Sequence, residues 1–89
     1  MDSNKIALSS LALDLKRVAL GYYRGSDALA KRFLEEALKR EKEIDKSSVK
    51  PYVRAILDKI KFIGQGKNRI DIAEDALMYS TLLQNACLR

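Results

Sequence analysis

A chain of 89 residues that is 47% hydrophobic and 33% charged suffices for one domain and is too apolar to stay unfolded. Seventeen Lys and Arg against twelve Asp and Glu give a net charge of +5, with no histidine, no tryptophan and one cysteine. Those absences exclude His-dependent hydrolytic triads, the usual zinc sites and any internal disulfide, and point to a reduced, cytoplasmic protein.

The first predicted helix runs from about Ser3 to Tyr23, where Gly25 supplies a left-handed stop and Ser26 or Asp27 a cap for the next. The second, rich in Ala, Leu, Glu, Lys and Arg, extends to about Ile44 before Asp45-Lys46-Ser47-Ser48 interrupts it. The third is expected to start at Ser47 or Ser48, carry Pro51 in its first turn and stop at Gly64-Gln65-Gly66. Asn68 is the expected N-cap of the fourth, with Asp71, Glu74 and Asp75 in its first turns, where the helix dipole favours negative charge. No segment alternates with the period of two that a half-buried strand requires. Short connections make neighbouring helices antiparallel, so the whole chain, residues 1–89, is predicted to be one all-α domain, an antiparallel up-down four-helix bundle. No apolar run approaches the roughly 18 residues of a membrane span, and Met1 to Lys5 opens no signal-peptide core, so no membrane partner is expected.

The apolar periodicity assigns a core. Helix one offers Leu8, Leu11, Leu15, Val18 and Tyr22, widened by Ala12 and Ala19; helix two offers Ala30, Phe33, Ala37 and Ile44, with Leu34 beside them. From helix three come Val49, Tyr52, Val53, Ile56, Ile60 and Ile63, and from helix four Ile72, Ala76, Tyr79, Leu83 and Ala86, flanked by Ala73 and Leu77. Apolar side chains remain beyond these. Leu38, Phe62, Met78 and Leu82 fall on polar faces, and Ile6, Leu13 and Leu20 recur every seven residues on the far side of helix one. A row differs from scatter, so these three residues are the candidate interface of a homo-oligomer.

Charge is uneven as well. From Lys46 to Arg69 there are seven basic residues and one acid, Asp58. Lys50, Arg54 and Lys61 fall within about 40° of one another on a helical wheel, on the side opposite the apolar arc. Lys67 and Arg69 extend the stripe around the glycine turn, which makes these five the candidate contacts to an RNA or DNA backbone. On helix two the charges are intermixed, Glu35 with Lys39 and Glu36 with Arg40 at the favourable spacing of four.

No constellation points clearly to catalysis, and no catalytic, metal or cofactor residue is assigned. Gly64-Gln65-Gly66-Lys67 lacks the spacing, the Ser or Thr and the preceding strand of a phosphate-binding loop. Glu35 and Glu36 could face Asp71, Glu74 and Asp75 across a bundle, as a magnesium-dependent nucleotide pyrophosphatase requires, but Lys39 stands where a further acid is wanted. Cys87 reads as a small apolar filler. The expected function is therefore that of a non-catalytic, oligomeric accessory factor holding nucleic-acid phosphates. An assembly module for an acidic protein partner is the alternative, ahead of the pyrophosphatase.

Overall fold

The computed structural model describes residues 3–65 and 68–87, and within them the chain is an all-α four-helix bundle. The helices are α1 (Ser3–Tyr23), α2 (Asp27–Glu43), α3 (Pro51–Ile60) and α4 (Arg69–Cys87), with a single 3₁₀ turn at Lys46–Ser48. α1 is the central element, packed by α2 on one side and α4 on the other, while α3 packs between those two. Antiparallel order is fixed by cross-helix contacts at both ends. Ser80 donates to the Ala12 carbonyl at 2.6 Å and the Cys87 thiol lies 3.9 Å from the Lys5 carbonyl, while Arg40 reaches Asp14 at 2.9 Å.

α1 stops as its glycine requires. Gly25 has φ +78°, its N–H donates to the Tyr22 carbonyl, and the Ser26 N–H reaches back to Gly21 at 2.8 Å. That pair of bonds satisfies carbonyls that the helix end would otherwise leave open. At the start of α4 the Asn68 side chain accepts from the Asp71 N–H at 2.9 Å, the cap expected of it. Of the other two caps, one stands at the expected residue and one does not. Ser26 occupies the N-cap of α2 without a side-chain bond, and the N-cap of α3 is Lys50, not a serine. Ser47 and Ser48 instead turn inward on Asp45, whose carboxylate takes both hydroxyls at 2.6 and 2.8 Å and the Ser47 N–H at 3.1 Å. These bonds, the Ser47 hydroxyl foremost, hold the Asp45 carboxyl below its ordinary value. α3 is shorter than its pattern, ending at Ile60, with tighter bonds from Phe62 to Lys59 and Ile63 to Ile60 leading into Gly64 at φ +96°.

The seven expected core residues of α1 are all buried. On its α4 side they are small, and Ala12 and Ala19 match Ala73, Ala76 and Ser80, so both backbones approach closely. On its α2 side the close approach is made at Gly21, where an added Cβ would lie 2.9 Å from the Ala30 Cβ. Gly21→Ala is therefore expected to lower stability by about 1 kcal/mol net. Overpacking costs about 1–3 kcal/mol, and the better helix propensity of alanine returns just under about 1 kcal/mol. A chemical melt checks this; a stabilised variant would show that the helices separate freely.

Elsewhere the core departs from the pattern. In α3 the buried residues are Val53, Leu57 and Ile60, joined by Ile63 beyond it, while Tyr52 is exposed. The buried arc is thus rotated toward Leu57 and lies beside the basic stripe, not opposite it. In α4 Leu77 is exposed and Ser80 is buried, its hydroxyl satisfied by an α1 carbonyl. Leu38, assigned to a polar face, packs against the core. Arg40, spaced to pair with Glu36, reaches the buried Asp14 of α1.

Candidate nucleic-acid interface

The basic stripe lies where the turn after α2 meets α3. Asp45, capped by its own serines, holds the 3₁₀ turn, and Asn4 of α1 donates to the Asp45 carbonyl at 3.3 Å. Arg54 then closes the turn from the α3 side. Its Nε and Nη2 donate to the Lys46 carbonyl at 3.2 and 3.0 Å, so the guanidinium acts as a fork on the backbone. Lys46 itself runs back between α2 and α3. Its ammonium lies 2.6 Å from Glu41 Oε1 and 3.4 Å from Asp58 Oδ1, while Lys61 approaches the same Asp58 oxygen at 3.7 Å.

Glu41 is the unexpected member. It sits on the inner face of α2 and is 1% exposed, yet it is a carboxylate. Oε1 receives no hydrogen bond of standard geometry, so the contact with Lys46 is an ion pair by proximity. Glu41 above all holds the Lys46 ammonium well above its ordinary value of 10.5. Sequence reasoning missed Glu41 because it stands in an unbroken run of mixed charges, Lys39 to Glu43, that reads as a solvated face. The available signal was its step of four from Ala37 and seven from Leu34, which continues the buried stripe of α2.

Each candidate phosphate contact can now be placed. Lys50, Arg54 and Lys61 are exposed along one edge of α3, and Asp58 is exposed within the same stripe. Of the three, Lys50 alone makes no ion pair or side-chain hydrogen bond among the described residues. Arg69 leaves the stripe, meeting Asp27 at the start of α2 at 3.5 Å. Lys67 lies outside the described residues. The edge therefore consists of Lys50, Arg54 and Lys61, backed by Lys46, with Asp58 between them.

The candidate oligomer row is exposed throughout. Ile6, Leu13 and Leu20 are 49%, 43% and 39% exposed on the side of α1 turned away from α3. Leu77 and Ile70 of α4 and Leu29 of α2 are also exposed, and the helical register puts them on the flanks of that row. The acids that a magnesium site would need do not converge. α1 packs between α2 and α4, which meet through Asp27 and Arg69 at one end, and among the described residues no group of three or more acids, cysteines or histidines is placed to hold a metal.

Comparison with protein-family models, with curated proteins and with solved structures finds no match to this chain.

Proposed function

We propose that this protein is a non-catalytic, oligomeric accessory factor that holds nucleic-acid phosphates along the α3 edge. The observation that carries the reading is the alignment of exposed Lys50, Arg54 and Lys61 on one edge, compensated among themselves by Asp58 alone. The ion pair of Lys61 with Asp58 is long and solvent-exposed, at 3.7 Å, and pairs of that kind contribute only about 0–1 kcal/mol. A phosphate oxygen displaces such a partner at little cost and releases a condensed counterion as it does so. Arg54 differs, because leaving the Lys46 carbonyl unbonds a turn, and its role toward phosphate is to hold the edge in shape.

The test is a titration of a short labelled duplex at several salt concentrations. The double variant Lys50→Ala, Lys61→Ala is expected to lower the slope of log affinity against log salt by about 2, at roughly 0.9 per phosphate lost on B-form DNA. Its sequence preference is expected to be weak, since contacts to phosphates position a duplex without reading it. No binding to RNA or DNA at low salt overturns the reading.

A second reading is supported by a separate observation. The solvent face of α1 carries Lys16, Arg17 and Arg24 beside its apolar row, and its buried acid Asp14 is already neutralised by Arg40. An apolar row with a cationic rim suits an assembly module that meets an acidic surface.

A further inference from the structure

The apolar row of α1 and its cationic rim lie next to a helix of opposite character. Beyond Arg69 the described part of α4 carries no cation, and its first turns present Asp71 and Glu74 to solvent. Its face alongside α1 also carries the exposed apolar residues Ile70 and Leu77, 45% and 40% exposed. Contacts between Ser80 and Ala12, and between Cys87 and Lys5, set the relative level of the two helices. By that register Glu74 stands level with Val18, between Lys16 and Leu20, while Ile70 is level with Tyr22 and Leu77 with Leu15.

We infer that this α1–α4 face is the self-association surface, with α1 of one copy lying against α4 of a second copy. This rests on the oligomeric part of the reading above and specifies it. A two-fold axis parallel to the helices, running between α1 and α4, carries each α1 over the other copy's α4 at the same level and in antiparallel sense. Ile6, Leu13 and Leu20 then meet the apolar edge of α4, and the cationic rim of α1 meets Glu74. The symmetry repeats the contact and closes the assembly at two copies. Packing α1 against α1 would cover the same leucines, but in parallel it would set Lys16, Arg17 and Arg24 against their own kind, and in antiparallel register it would leave Lys16 and Arg17 without an acid to meet, since Asp14 is buried and paired with Arg40. Within one chain, Lys16 and Glu74 make no ion pair among the described residues, so both are available to the second copy. On the α2 flank Arg32, Glu36 and Glu43 mix both signs and specify neither arrangement.

Sedimentation of the full chain, without nucleic acid, tests the arrangement through a charge exchange. Wild-type protein is expected to be a dimer at tens of micromolar. Lys16→Glu and Glu74→Lys are each expected to weaken self-association by at least about tenfold, and the double variant to recover most of it. Helix content measured on the same samples keeps folding apart from assembly, since all the substituted side chains are exposed. A dimer that Lys16→Glu fails to weaken and that is indifferent to Glu74→Lys would put α1 against α1 and overturn the inference. So would a wild-type monomer at about 100 μM, including one that binds phosphatidylserine vesicles and loses them on Leu13→Glu, which would assign the face to a membrane surface. Failure of the phosphate reading would appear only in the duplex titration, and failure of this one only here.

Discussion

Lys46→Met is expected to lower the unfolding free energy by about 3 kcal/mol, the range in which removing one partner of a buried ion pair falls. The loss arises less from the contact itself than from what it leaves behind. Glu41 is 1% exposed and accepts no well-formed hydrogen bond, so without Lys46 its carboxylate has no close counter-charge in a poorly solvated site. Glu41→Leu is expected to be nearly neutral, because it removes the buried charge and fills the volume with apolar atoms. The double variant should therefore lie close to wild type, and a double-mutant cycle read from urea midpoints isolates the coupling. A cost below about 1 kcal/mol for Lys46→Met would mean that water reaches Glu41. The pH dependence has a defined sign. Glu41, more than any other neighbour, raises the Lys46 pKa above 10.5, so the contribution is complete at neutral pH and up to the ordinary lysine value. It is lost as pH climbs through the raised value, in strongly alkaline solution.

Leu57→Ala is expected to cost about 3 kcal/mol, within the range of roughly 2–5 kcal/mol for deleting a fully buried leucine side chain. Leu57 is 0% exposed. The same truncation at Tyr52, on the opposite side of α3, is expected to cost less than about 1 kcal/mol because the ring is 43% exposed. The contrast is informative because the apolar pattern of α3 points to the reverse assignment. Thermal or urea melts of both variants decide it. Equal costs would mean that α3 is turned back toward Tyr52.

That rotation has a local cause. The stretch from Val49 to Ile63 reads as one helix with a stripe centred near Ile56, but α3 spans only Pro51–Ile60. Val49 and Ile63 lie outside it, in the entry to the helix and in the tight turn that follows, so their positions do not obey its period. Without them the apolar arc narrows to Val53, Leu57 and Ile60 and swings toward Leu57. The basic stripe is carried with it to the margin of the core, where Arg54 and Lys61 find intramolecular partners. Sequence spacing identified the stripe but not the contact of Arg54, because the Lys46 carbonyl comes within its reach only once the turn folds back against α3, whereas the pair of Lys61 with Asp58 follows from a spacing of three along the chain.

The sequence by itself determined the helical class, the three interruptions, the stop at Gly25, the cap at Asn68 and the inner face of α1, since each depends on neighbours within a few residues. It also identified Ile6, Leu13 and Leu20 as surplus to the core, and all three are exposed. Tertiary structure alone decided the polar interior. Asp14, Glu41 and Ser80 are buried because Arg40, Lys46 and the Ala12 carbonyl arrive from other elements, the first two as counter-charges and the third as a hydrogen-bond acceptor. Gly21 likewise reads as an ordinary weak helix former until Ala30 is set against it. Periodicity records how often a residue returns to one face of its own helix. It does not record what another helix brings to that face, and a buried charge is tolerable only through what is brought.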